Sequence, residues 1–91
     1  ENIKIDLNKQ LIFKKDIEYK INNTEKLILE KMINNPGKTY SREDIGLLIN
    51  LDKERSIDVI ITRLRKKIEI DPKNPKFLQT IRGAGYVLWI E

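Results

Sequence analysis

There is no cysteine and no histidine among the 91 residues. The first absence excludes a disulfide or a thiolate metal site within this chain and fits a reducing compartment. The second removes the commonest general base and, together with the first, the usual zinc ligands. Apolar residues make up 40% of the chain but never form the run of roughly 18 that a membrane span needs, and no basic segment leads into an apolar one. No membrane contact is therefore expected, and cytoplasm is the expected location. No glycine-rich phosphate loop precedes a helix, and the carboxylates are scattered through polar faces, so a small phosphoryl-transfer or hydrolytic enzyme finds no support. Neither catalytic residues, nor a metal, nor a cofactor is expected. The length suits one domain with a single modest core. Because the chain opens on Glu1 instead of methionine, it is expected to be cut from something longer.

What is present is charge, unevenly placed. Lysine and arginine number 18 against 14 acidic residues, a formal net charge of +4. Between Lys53 and Ile68 stand six basic residues (Lys53, Arg55, Arg63, Arg65, Lys66, Lys67) and only two acidic ones (Glu54, Asp58), so the rest of the chain balances to zero. The whole excess sits on one segment, where a phosphate backbone could meet it.

The apolar pattern gives the organisation. Ile3, Ile5 and Leu7 alternate with polar residues, then Leu11 and Phe13, then Ile17, Tyr19 and Ile21, which predicts three half-buried strands in an antiparallel meander. Tight connections are expected at Asn8 and Lys9 and at Lys14 to Asp16. The outer face of the meander should be wet or pressed against a neighbouring domain. Asn22 and Glu25 stand at capping-box spacing ahead of Leu27, Ile28, Leu29, Met32 and Ile33, so a first helix is predicted to about Asn34, where Asn35, Pro36 and Gly37 stop it. Ser41 and Asp44 form a second capping pair, for a short helix of about 42 to 50.

Asp52 is placed to cap a third helix of about 53 to 69. At 100° per residue, Ile57, Ile61, Leu64 and Ile68 fall within about 60° of one another, which makes them the core stripe. Arg55, Val59, Thr62, Arg63 and Lys66 lie opposite. Pro72 and Pro75 forbid continuation of the helix beyond about Asp71, and residues 77–82 and 86–90 then read as two strands turned by Gly83, Ala84 and Gly85. Phe77, Tyr86, Trp89 and Tyr40 are expected to pack, and both glycines to serve the tight turn.

A helix that enters a major groove must be pinned from behind by apolar contacts while its front offers donors and small apolar groups to base edges. The third helix divides in that way. Arg63 can reach a guanine edge or a phosphate, Val59 and the Thr62 methyl can meet a thymine methyl, and Arg55 and Lys66 can hold phosphates. Arg82, at the tip of the terminal hairpin, can enter a narrow minor groove.

These residues carry a resemblance. RSIDVIITRLRKKI at 55–68 followed by DPKNPKFLQTIRGAGYVL at 71–88 resembles the C-terminal signature of the OmpR/PhoB-type winged-helix effector domain of bacterial two-component response regulators, and NNPGKTYSRED at 34–44 is similar to the joint between that family's first two helices. The likeness runs from about Ile21 to Leu88. It implies an α+β winged helix-turn-helix over residues 1–91: an N-terminal antiparallel meander, three helices, and a C-terminal hairpin wing at about 78 to 90. It further implies sequence-specific binding of double-stranded DNA in transcription regulation, with a phospho-accepting receiver domain joined at the N-terminus. The isolated domain is expected to be a monomer that dimerises on DNA.

By motif position, Arg55, Val59, Thr62, Arg63 and Lys66 would form the recognition face, Arg82 the wing contact, and Thr80 a phosphate contact. RNA polymerase is a further implied partner, through a loop that in this chain, Leu48 to Glu54, is shorter than usual and lacks the family's tryptophan. Ile60 stands where many relatives carry a polar residue and is expected to widen the core stripe. Asp58 and Arg65, on the flank, are expected to make structural ion pairs. The rival reading is a winged-helix module for protein–protein contact with little DNA affinity.

Overall fold

The computed structural model describes residues 3–50 and 54–89, except the side chains of Glu54 and Arg55. Three short strands come first, β1 (Ile3–Asp6), β2 (Leu11–Lys14) and β3 (Ile17–Lys20), paired antiparallel in that order. The β1–β2 turn spans four residues, with the Gln10 amide donating to the Leu7 carbonyl, and not the two at Asn8 and Lys9. Lys15 and Asp16 both take positive φ, 50° and 64°, the twist that lets a two-residue loop join right-twisted strands.

The meander forms as expected, but one of its strands faces the other way. Cross-strand partners place Ile5, Ile12 and Tyr19 on one face with Ile3, Lys14 and Ile17; Phe13 and Leu11 share the opposite face with Lys4, Glu18, Asp6 and Lys20. Leu11 and Phe13 are therefore not the core pair of β2; Ile12 and Lys14 are, and both are buried. The reason is the ammonium of Lys14, which donates to the Lys66 and Glu69 carbonyls at 2.8 and 2.7 Å. These carbonyls end the third helix, where a cation is favoured. Burial, followed by the neighbouring Lys15, lowers the pKa of Lys14, while Glu69 opposes the shift.

The helices follow the capping signals closely. Helix α1 (Asn23–Asn34) starts at the Asn22–Glu25 capping box and α2 (Arg42–Ile49) at the Ser41–Asp44 box, both with reciprocal bonds formed. Asn50 closes α2 in the left-handed conformation, φ 62°. Helix α3 (Glu54–Ile68) follows; its expected cap, Asp52, lies outside the described residues. Between α1 and α2 runs a strand the sequence does not announce, β4 (Thr39–Tyr40), and the chain then forms β5 (Leu78–Ile81) and β6 (Gly85–Leu88). Their order is β4-β6-β5, so the terminal hairpin is tied through its second strand to the joint between α1 and α2.

One core unites these elements. Ile12, Ile28, Leu29, Met32, Ile45, Ile57, Ile61, Leu64, Ile68, Leu78 and Leu88 are all fully buried in it. Each such side chain contributes about 1.5 to 3 kcal/mol of burial. Ile60 packs at its margin, as expected. No helix among the described residues is long and apolar enough to cross a membrane.

Candidate nucleic-acid interface

Four residues of α3 pin it from behind: Ile57, Ile61, Leu64 and Ile68 are at most 1% exposed. The opposite side is therefore held outward, and Val59, Thr62, Arg63 and Lys66 are all exposed on it. Thr62 donates its hydroxyl to the Asp58 carbonyl one turn back at 2.9 Å, so its methyl is the group most freely offered to a partner. The side chain of Arg55 lies outside the described residues.

Among the basic residues of α3 the structure separates committed from uncommitted charge. Lys67 pairs with the buried Glu25 at 2.8 Å. Arg65 turns toward the hairpin, its Nε donating to the Leu78 carbonyl at 2.8 Å and its Nη2 to the Thr80 hydroxyl oxygen at 2.6 Å. This corrects the expected ion pair: Arg65 has a structural role, but its partners are a carbonyl and a hydroxyl. Arg63 and Lys66 form no ion pair among the described residues and remain presented to solvent.

The hairpin turn presents a third exposed cation. The Ala84 amide donates to the Ile81 carbonyl at 2.9 Å, with Arg82 and Gly83 at the corner and Gly83 at φ +79°, the geometry of a type II turn. Arg82 thus stands at the tip, and Thr80 is exposed two residues before it, its oxygen already accepting from Arg65 while its hydroxyl proton remains available to donate. Gly83 serves the turn as expected. Gly85 instead admits a close approach of backbones, since a Cβ there would stand 2.0 Å from the Tyr40 carbonyl oxygen.

Asp58 forms the expected ion pair, with a partner the sequence did not reveal. Arg42, first residue of α2, donates its Nε to Asp58 Oδ1 at 2.8 Å, and the Tyr86 hydroxyl donates to the same oxygen. Beside them a groove of about 320 Å³ runs between the start of α2 and the hairpin, lined by Ser41, Arg42, Thr80, Gly83 and Tyr86 among others. The hydrogen bond from Arg42, helped by that from Tyr86 and opposed by burial, holds the Asp58 carboxyl below its ordinary 3.8. Burial, then Asp58, raises the Tyr86 phenol above 10.0.

A pH dependence follows. A carboxyl with a lowered folded pKa stabilises the fold fully above about 3.8 and loses that contribution as pH falls through the folded value. With the Asp58 side chain 43% exposed the effect is small. Thermal unfolding of the parent and of Asp58→Asn should therefore differ at pH 7 and converge below pH 3.8. A gap that widens on acidification would contradict the assignment.

Residues 16–88 match the family model described as transcriptional regulatory protein, C terminal. A probable transcriptional regulator ycf27 of Guillardia theta is 39% identical over 90 residues, covering 91% of this chain and 35% of its own length. Protein PetR of Rhodobacter capsulatus is 32% identical over 95 residues, covering 94% of this chain and 40% of its own. Among solved structures, the response regulator DrrB of Thermotoga maritima, described as an OmpR/PhoB homolog, superposes with a TM-score of 0.85 at 32% identity over 98% of this chain and 42% of its own. The DNA-binding domain of the response regulator AdeR, solved in complex with an intercistronic region, gives 0.71 at 31% identity over 98% of this chain and 95% of its own. The chain spans about a third of the length of two curated relatives it matches, 35% and 36%.

Proposed function

Because the chain belongs to the OmpR/PhoB-type family of transcriptional regulatory C-terminal domains, we infer that it binds double-stranded DNA sequence-specifically in transcription regulation. Helix α3 enters the major groove, with Val59, Thr62 and Arg63 toward base edges and Arg55 and Lys66 toward phosphates. The hairpin, the wing of the fold, carries Arg82 to the adjacent minor groove and Thr80 to a phosphate. The observation that carries this reading is the sorting of charge on α3: Arg65 and Lys67 are spent on the fold while Arg63 and Lys66 face outward beside an exposed Val59 and Thr62.

The domain extends over residues 1–91 and works in the cytoplasm as the effector part of a response regulator whose receiver domain precedes it. The share of DrrB that this chain covers, set against its near-complete coverage of the AdeR DNA-binding domain, supports that arrangement. Alone the domain is a monomer, and copies pair on repeated half-sites. Its role needs no catalytic step, metal or cofactor. The shortened segment 48–54, where the resemblance implies contact with RNA polymerase, includes residues 51–53, which lie outside the described residues.

The test is a pair of substitutions. Arg63→Ala should cost roughly 1 to 3 kcal/mol on a specific duplex, as loss of a base contact does, and relax the preference at one position. Lys66→Ala should weaken all duplexes alike and lower the salt slope by about 1. Unchanged binding by Arg63→Ala would favour the protein–protein reading instead.

A further inference from the structure

Major-groove and minor-groove contacts can be made together only when the angle between helix and wing matches the duplex. Two side chains of α3, Asp58 and Arg65, lie seven residues and two turns apart on one flank of the helix. Both grip the same residue of the wing. Asp58 accepts from the Tyr86 hydroxyl, and the Arg65 guanidinium lies over the Tyr86 ring at 5.6 Å while bonding Leu78 and Thr80 on the other wing strand. Arg42 brings the start of α2 to the same Asp58 oxygen. Three elements thus meet at one carboxylate.

Little of this is needed to hold the core. The Tyr86 ring is buried with or without its hydroxyl, and ion pairs as exposed as Arg42 with Asp58 add little stability. What the cluster does fix is direction. A ring held at its hydroxyl by one turn of α3 and across its face by another cannot swing away from the helix without breaking both contacts.

Resting on the DNA-binding reading above, we propose that Asp58 and the Tyr86 hydroxyl are positioning residues that fix the wing against the recognition helix, so that groove contacts by Arg63 and Arg82 reinforce one another. The consequence is thermodynamic coupling between wing and helix. With the wing prepositioned, Arg82 reaches its groove at no further ordering cost; with the wing loosened, part of its contribution goes into restoring the angle. The cluster is thus a specificity device that acts without touching a base.

The experiment is a cycle on the 91-residue chain. Affinities for a duplex selected from a random pool are measured for the parent, Arg82→Ala, Tyr86→Phe and the double variant, alongside thermal unfolding of each. Arg82→Ala should weaken the parent, and should weaken Tyr86→Phe by a factor about threefold or more smaller, a coupling that a merely structural role would not produce. Asp58→Ala, which breaks the same contact from the helix side with a good helix former, should reproduce the result and serves if Tyr86→Phe does not fold. Equal loss on Arg82→Ala in both backgrounds, or no loss in the parent, overturns the proposal while leaving DNA binding intact. A parent that binds no duplex overturns both.

Discussion

Gly85→Ala should unfold the wing or come close to it. A Cβ at this position would lie 2.0 Å from the Tyr40 carbonyl oxygen and 2.7 Å from the Ser41 Cα. These are backbone atoms, so no rotamer change can relieve the overlap; β6 must move off β4. That movement pulls apart the Tyr40–Tyr86 pairing and opens the core beside two buried rings. The native φ of +143° is itself strained for any residue with a side chain. Overpacking and backbone strain together should cost about 3 to 5 kcal/mol. For a domain of this size that lowers the unfolding midpoint by roughly 15 to 30 °C. Gly83→Ala is the control: nothing stands within 4 Å of its Cβ, and only the left-handed φ of +79° is penalised, about 1 to 2 kcal/mol. Thermal unfolding followed by circular dichroism decides between them. Equal midpoints for the two variants would show that the close approach is not what the glycine serves.

Glu69→Ala is expected to be comparably severe, for a different reason. The side chain is 1% exposed, and its carboxylate accepts from the Lys76 amide at 2.8 Å, from Phe77 at 3.0 Å and from Leu78 at 2.7 Å. Three successive backbone donors thus end on one acceptor just beyond α3, where the chain turns toward the wing. Removing it strands them; each lost partner costs about 1 to 3 kcal/mol if buried, less where water can enter. A total of about 3 to 5 kcal/mol follows, because Leu78 is fully buried while Lys76 is not. Glu69→Gln should recover only part of it, since its NH₂ would face donors. Denaturant unfolding should place the alanine variant well below the parent with the glutamine variant between them, and faster hydrogen exchange at Leu78 should mark where the loss falls. An alanine variant within about 1 kcal/mol of the parent would show that Glu69 does not hold the wing.

Both predictions concern contacts that local pattern does not reveal. The helices are legible because their signals are local: Asn22 with Glu25 and Ser41 with Asp44 need only their own turn to be satisfied, and both boxes form. The stripe from Ile57 to Ile68 is legible for the same reason, through period alone. The face of β2 is not, because a lysine normally marks the wet side, and Lys14 is turned inward by helix carbonyls more than 50 residues away. Two residues, Thr39 and Tyr40, are too few to show alternation, so β4 leaves no signal. Gly85 looks like a second turn glycine because spacing says nothing about which strand will lie against it. On the binding helix, the period alone sets Arg65 on the flank, apart from Arg63 and Lys66. Only the fold shows that its partners are the Leu78 carbonyl and the Thr80 hydroxyl and not a carboxylate, while the other two are left outward.

That outward face is where DNA binding stands or falls, and one titration tests it most directly. The 91-residue chain is measured against a duplex selected from a random pool and against a shuffled duplex of the same composition, each over a range of salt concentrations. The selected duplex should bind tighter by roughly 10³-fold, with the logarithm of each affinity falling linearly with the logarithm of salt. Equal affinity for the two duplexes, or binding indifferent to salt, would contradict a sequence-reading basic face on α3.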